Sequence, residues 1–412
     1  MTNENLSKNS VDERIPTLEN SDKVKERNDT VSQNQIQGTR KVDEDFFKDM
    51  ILKSIPKESQ ITNIRFEGPY VALYTLNPKF SLTELTYYLS SLSKNVKKRF
   101  VVRTDTSIRL SEEETRAAVI KMLPNEVTIS AVFCDDATGE VVLEVNRPES
   151  IDANMVINIA QATGWIAHTL RSPHIQSSSM NMIHSTQKSS TKERSLFLQS
   201  LGKRVFRPPL VLQSNDSNLN LTNHSSEKRS EFTEFKSKLR GKEEIAIFCL
   251  GGVKQVGRSC FIVVTSESKI MLDCGINPGE PLGISAYPRL DWFNFDLDEI
   301  DAVIISHAHI DHQGFLPALF KFGYKGPVYC TEPTLPLMTL LQYDSVKISK
   351  SNGTFLPYET RDVNEVIKHC ITLPYGKPTD ISPDVTITFN NAGHIMGSAT
   401  VHINVFGTHN IL

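Results

Sequence analysis

A chain of 412 residues, 39% of them hydrophobic, is long enough for two or three domains with cores of their own. Its net charge of −3 excludes a globally basic nucleic-acid binder, so any such contact has to be a local patch. The six cysteines (Cys134, Cys249, Cys260, Cys274, Cys330 and Cys370) contain no C-x-x-C pair, and there is neither a secretory start nor a run of about 18 apolar residues. These features argue against a disulfide scaffold and a membrane protein, and for a reduced, cytoplasmic one.

Residues 1–41 are dominated by Asn, Ser, Glu, Lys, Asp, Thr and Gln, too polar to repay the entropy of ordering, and read as a disordered tail. Globular composition begins at Val42. Phe46, Phe47, Met50, Ile51 and Ile55 recur at helical spacing up to Pro56. Residues 61–66 and 70–74 then read as a hairpin across Glu67-Gly68-Pro69, followed by a helix over 82–94 and a strand over 100–103. The same order returns. Ser111 and Glu114 form a capping box before a helix over 115–123. Strands at 127–133 and 140–145 flank a turn, and a helix over 155–162 stops at Gly164 before an apolar stretch over 165–168. Leu76-Asn77-Pro78 and Asn146-Arg147-Pro148 align at an offset of 70 residues, so two related modules are expected, 42–106 and 107–172.

The order helix, hairpin, helix, strand resembles tandem KH domains, which bind single-stranded RNA through a G-x-x-G loop that meets about four nucleotides. No G-x-x-G occurs between residues 42 and 200. At the corresponding place the second module reads Arg147-Pro148-Glu149-Ser150-Ile151-Asp152-Ala153-Asn154, whose bulk and carboxylates hold phosphates off. The modules are therefore KH-like in shape, with RNA positioning and dimer contacts as alternative roles. Lys94, Lys97, Lys98, Arg99 and Arg103 are the candidate RNA-contacting residues, and a solvated helix end is the alternative. Residues 173–242, rich in Ser, Asn, Thr and Lys, read as a flexible connector. It contains a firmer piece, 196–209, in which Lys203, Arg204 and Arg207 around Phe206 either touch nucleic acid or belong to a docked segment.

From residue 243 the chain changes to strands and glycine turns. Strands are expected at 245–250 and 259–264, and Ile270-Met271-Leu272 runs into Asp273-Cys274-Gly275. An Asp at a strand end either orients a ligand by accepting an imidazole N–H or forms a plain turn. The apolar run 300–305 then delivers His307, His309, Asp311 and His312, four potential ligands within six residues. Three imidazoles and a carboxylate at this spacing suit one or two hydrolytic zinc ions, the alternative being a polar turn without metal. His394 lies between Gly393 and Gly397, in a loop whose backbone must approach something closely, and is the natural third imidazole.

Asp273, the run His307/His309/Asp311/His312 and His394 resemble the first three signature motifs of the metallo-β-lactamase fold. The text Leu250-Gly251-Gly252-Val253-Lys254-Gln255-Val256-Gly257-Arg258-Ser259, Tyr329-Cys330-Thr331-Glu332-Pro333-Thr334 and Asn391-Ala392-Gly393-His394-Ile395-Met396-Gly397-Ser398 is similar to the β-CASP nucleases. KH-like modules in front point to archaeal relatives of the cleavage and polyadenylation specificity factor. The fold class that follows is α/β and α+β: tandem KH-like modules, then an incomplete metallo-β-lactamase αββα sandwich over 243–412. The resemblance implies one zinc on His307, His309 and His394, a second on Asp311 and His312, and Asp273 orienting the ligand loop. It makes Asp273, Asp311 and His312 catalytic candidates and implies two zinc ions per complete site.

It further implies cleavage of single-stranded RNA, inside the chain and from the 5′ end, in 3′-end formation and transcription termination. Partners implied are single-stranded RNA, with a second copy of the chain and the transcription machinery as further candidates, and no membrane. The family's bridging Asp and later insert would follow Leu412, and neither His402 nor His409 stands where the bridge is expected, so an N-terminal part of a longer nuclease is the expectation. Two other readings stay open: a non-catalytic RNA-binding or assembly protein with a vestigial nuclease domain, and a small-molecule thioester or lactam hydrolase.

Overall fold

The computed structural model describes residues 44–172, 178–207, 244–280, 285–292 and 296–412. The expected tail over 1–41, and 173–177 and 208–242 of the expected connector, lie outside the described residues.

The two front modules share one plan. The first runs α1 (Glu44–Ser54), β1 (Ile61–Glu67), β2 (Tyr70–Thr75), α2 (Pro78–Thr83), α3 (Leu85–Val96) and β3 (Phe100–Thr104). The second runs α4 (Glu112–Met122), β4 (Ile129–Asp135), β5 (Glu140–Val145), α5 (Ala153–Thr163) and β6 (Ile166–Arg171). In each sheet the first pair is antiparallel and the second parallel, and each first strand carries a register shift at its start, at Ile61/Asn63 and Ile129/Ala131. Asn77 and Arg147, the residues before the aligned prolines, share a backbone conformation, with φ −119°, ψ 75° and φ −134°, ψ 75°. The repeat is thus a repeat of backbone, not only of element order.

Local chemistry accounts for the boundaries. Ser111 and Glu114 form the capping box in both directions, with Ser111 Oγ accepting from Glu114 N–H. Gly164 ends α5 at φ 72°, and a Cβ there would lie 2.2 Å from the Ile108 carbonyl oxygen. The helix expected over 82–94 is two helices meeting at Glu84, because Asn77 caps a first short one at Pro78. The module cores are small: Ile51, Ile64, Val71, Leu73, Leu85 and Leu89 in the first, Val119, Val141, Leu143, Ile159 and Trp165 in the second.

The connector is corrected for residues 178–205, which are not a flexible linker but two packed helices, α6 (Ser178–Ser189) and α7 (Thr191–Val205). Their Ser- and Lys-rich sequence gives weak intrinsic propensity, and packing decides instead. Ile183 of α6 enters the core of the last domain, as do Leu201 and Val205 of α7. Gly202 lies against β1 so closely that a Cβ would sit 2.4 Å from the Phe66 carbonyl oxygen. Arg194 donates through one Nη to both oxygens of Asp135 at 2.9 and 3.0 Å, both side chains being buried. Of the two alternatives for 196–209, docking is the one seen in its described part, up to Arg207.

The last domain contains β7 (Ala246–Gly251), β8 (Cys260–Val264), β9 (Lys269–Leu272), β10 (Ala302–Ile304), α8 (Ile310–Gln313), α9 (Leu316–Lys321), β11 (Val328–Cys330), α10 (Thr334–Asn352), α11 (Thr360–His369), β12 (Cys370–Thr372), β13 (Thr379–Asp380), β14 (Val385–Asn391), β15 (Ala399–Val405) and β16 (His409–Ile411). A six-stranded sheet has the order β12-β11-β10-β9-β8-β7, parallel from β12 to β9 and antiparallel from β9 to β7. A four-stranded antiparallel sheet, β13-β14-β15-β16, packs on it. Val263, Ile270, Ile304 and Tyr329 meet Val385, Ile387, Phe389 and Ile403 between the sheets, while Met271, Val303 and Val328 face a helical layer that includes Leu319, Met338 and Val366. Helix, sheet and sheet are three of the four layers of the expected αββα sandwich, and the loops after β9, β10 and β11 open at one end, where α/β sheets place their sites. Among the described residues no helix is long and apolar enough to cross a membrane.

Candidate metal centre

Asp273 follows β9 directly. It sits at φ 57°, a left-handed conformation that Asp tolerates better than most residues, and its N–H extends the ladder to the Ile304 carbonyl at 2.8 Å. Its carboxylate faces the loop after β10. Oδ1 accepts from Ser306 N–H at 2.8 Å, and Oδ2 accepts from Ser306 Oγ at 2.9 Å and from His312 Nδ1 at 2.7 Å. Of its two alternatives, ligand orienter or plain turn, the geometry is that of an orienter.

His307 is buried at the start of this loop, and His309 is the residue before α8. His394 arrives from the loop between β14 and β15. Gly397 stands at φ 86°, where a Cβ would be 2.7 Å from Thr334 Oγ1, and its carbonyl accepts from the Thr331 and Thr334 hydroxyls. Ser398 Oγ accepts from the N–H groups of His394 and Ile395 at 3.1 and 3.2 Å, which fixes the loop at the ligand itself. The hydroxyls of Ser306, Thr331, Thr334 and Ser398 are the contributors that the sequence reading missed; the signal was hydroxyl residues flanking each ligand motif.

Three nitrogens converge. His307 Nε2 is 3.2 Å and His394 Nε2 is 3.1 Å from His309 Nδ1, and the ligand atoms of the three residues lie within 4.8 Å of one another. With Zn–N bonds of about 2.05 Å, the edge of a coordination tetrahedron is about 3.3 Å, so the donor set fits zinc-sized coordination. Burial, helped by His312, His309 and His394, pushes the His307 imidazole down to about 4 against the opposing pull of Asp273. It is therefore neutral near pH 7, as a ligand must be. At His312 burial opposes the charged form, but the hydrogen bond and charge of Asp273 win and the imidazole is raised. His312 Nε2 remains turned toward Asp311, whose Oδ2 is 3.7 Å away, so the second expected pair is adjacent to the first set and shares its anchor.

Comparison with known proteins fits this arrangement. Residues 262–412 match the family profile described as "Metallo-beta-lactamase superfamily domain", and residues 43–109 match "Transcription termination factor FttA, KH domain". The chain thus contains a metallo-β-lactamase superfamily domain over residues 262–412 behind a KH domain of the FttA type over residues 43–109. It is 41% identical over 88% of its length to "Transcription termination factor FttA" of Cenarchaeum symbiosum, covering 52% of that protein, and 37% identical over 89% to the protein of the same name from Methanothermobacter thermautotrophicus, covering 53%. The chain thus spans about half the length of these FttA relatives. Among solved structures, the metallo-beta-lactamase fold protein YhfI from Bacillus subtilis aligns with 40% of this chain and 59% of its own, at 17% identity and a TM-score of 0.27.

The five basic candidates of the KH part do not form one open face. Lys94 and Lys97 are exposed. Lys98 pairs with Asp380 at 2.7 Å and lies over the Phe206 ring, and Arg99 donates to Thr379 Oγ1 at 2.7 Å. Both are thus engaged with the edge of the second sheet of the lactamase domain. Arg103 is buried, 2.7 Å from Glu140 and 3.7 Å from Glu67, and is corrected from an RNA contact to an internal ion pair between the modules. A charge run in sequence reads as a face only when all its members point outward, and β3 turns Arg103 inward.

Proposed function

We propose that this centre serves zinc-dependent cleavage of phosphodiesters in single-stranded RNA, in RNA 3′-end processing and transcription termination. The observation that carries the reading is the convergence of the His307, His309 and His394 nitrogens beside the Asp273–His312 pair. Supporting it are the superfamily match, the KH domain and the naming of the FttA relatives as transcription termination factors. A divalent metal held there supplies Lewis acidity, which activates water and neutralises charge on a phosphodiester.

The chain's own residues prepare that chemistry. His307, His309 and His394 would hold the first metal through ring nitrogens, and Asp311 and His312 a second. Asp273 holds His312 by its Nδ1, so that Nε2 faces Asp311. The glycine-hinged loop around Gly397 brings His394 in from the other sheet, which makes the site depend on both sheets staying packed. Lys94 and Lys97 are the members of the basic run left to meet a phosphate backbone.

The test combines His307→Ala with His309→Ala, with bound zinc read by elemental analysis and cutting by a labelled single-stranded RNA. The proposal expects both to be lost while the protein stays folded. Unchanged cutting overturns it, and RNA retention without zinc or cutting in the parent protein would favour the non-catalytic binding reading.

A further inference from the structure

Ser306 uses every polar atom it has. Its N–H donates to Asp273 Oδ1, its hydroxyl lies 2.9 Å from Asp273 Oδ2 and 3.0 Å from His307 Nδ1, and its carbonyl accepts from Ala399 N–H at 2.9 Å. One residue therefore joins the strand end that carries Asp273, the loop that carries His307 and the strand that follows His394. We propose that Ser306 is a positioning residue of the metal centre: it relays the Asp273 carboxylate to His307 and fixes which nitrogen of that imidazole is free for metal. This rests on the metal reading of the three histidines and adds to it the residue that sets the tautomer of His307.

The directions of the hydrogen bonds follow from an inventory of protons. A carboxylate only accepts, so the single Ser306 hydroxyl proton goes to Asp273 Oδ2. The hydroxyl oxygen can then offer His307 only a lone pair. Nδ1 must hold the imidazole proton, and Nε2, the atom 3.2 Å from His309 Nδ1, carries the lone pair. His312 reaches the same result without a relay, since its Nδ1 meets Asp273 Oδ2 at 2.7 Å. One carboxylate thus sets the tautomers of a ligand in each half of the centre, directly at His312 and through Ser306 at His307. Partners of ligating imidazoles of this kind typically matter by about 10–100-fold in metal affinity.

The experiment uses the 412-residue chain with 15N-labelled histidine and long-range 1H–15N spectra of the metal-free protein at mildly alkaline pH, followed by zinc competition against a chromophoric chelator. The parent should show His307 in the Nδ1–H form. Ser306→Ala should give a tautomer mixture and zinc binding weaker by about 10–100-fold, and Ser306→Thr, which keeps the hydroxyl, should restore both. His184 and His369, on α6 and α11, serve as folding controls. A parent His307 in the Nε2–H form overturns the proposal without any variant, as does a Ser306→Ala protein with unchanged tautomer and affinity. A parent that binds no zinc defeats the metal reading instead, while the tautomer spectra still decide the role of Ser306.

Discussion

Gly275 passes beneath the ligand loop so closely that a Cβ added to it would lie 1.7 Å from the Asp311 carbonyl oxygen. The approach is backbone against backbone. Cys274 N–H donates to the His312 carbonyl at 2.7 Å, and Ser259 N–H to that of Asp311 at 2.8 Å, so two segments lace the loop from below. No side chain can swing aside to make room for a methyl group. Gly275→Ala should destabilise the protein by about 1–3 kcal/mol, the usual range for overpacking, and weaken zinc binding by displacing Asp311 and His312. Thermal melts and a zinc titration check this; a variant that matches the parent in both contradicts the packing argument.

Zinc itself should act as a stabiliser. A ligand bound only by the folded protein adds about 2.7 kcal/mol at a hundred times its dissociation constant. His307, His309 and His394 come from two different sheets, so metal bound across them resists their separation. The melting temperature is expected to rise with zinc and return on EDTA treatment, and His394→Ala should abolish most of the rise by removing the only ligand from the β14–β15 loop. An equal rise in that variant would place the zinc elsewhere.

The centre was legible in sequence because most of it is local. His307, His309, Asp311 and His312 occupy one turn, and their spacing survives any error in strand boundaries. From its own neighbours Asp273 was legible as a strand-end acid, and its role as an orienter came from the resemblance; its pairing with His312 needed the parallel contact of β9 with β10. The reading of Arg103 as part of an open basic face failed for the opposite reason. Burial is a tertiary property, and nothing near Arg103 in the sequence announces that Glu67 and Glu140 will surround it. Helices α6 and α7 were hidden in the same way, since their order comes from Ile183, Leu201, Val205 and the Arg194–Asp135 pair rather than from propensity.

This difference between Arg103 and the outer lysines is testable. Arg103→Ala leaves the buried Glu67 carboxylate uncompensated and should cost about 3 kcal/mol, the low end for a broken buried pair because Glu140 is partly open to solvent. Lys94→Ala with Lys97→Ala should leave the melting temperature where it is and reduce retention of single-stranded RNA, with a shallower salt dependence. Filter binding at two ionic strengths beside thermal melts separates the two effects. An Arg103→Ala protein of parental stability would refute the internal role.

The same ion pair gives the contact between the modules a pH optimum. Burial would raise the Glu140 carboxyl, but His168 and Arg103 overcome it and hold it down to about 2. A lowered carboxyl stabilises above its unfolded value of about 4.3, and that stabilisation is lost as pH falls toward the folded value. His168 shifts the other way, raised by the Glu140 carboxylate 3.7 Å from its Nε2 against the opposing effect of burial. Its contribution is complete below its unfolded value of about 6.5 and is lost as pH rises through the folded one. Both contributions are therefore present together between about pH 4.3 and 6.5. Glu140→Gln removes both, so the gap in melting temperature between parent and variant should be widest in that window. Toward acid it should close, because the parent carboxylate is protonated; toward alkali it should narrow without closing, because Arg103 keeps its charge when His168 loses its own. Melting curves of the two proteins across this range decide the point, and a gap that stays constant would show that Glu140 acts by packing and not by charge.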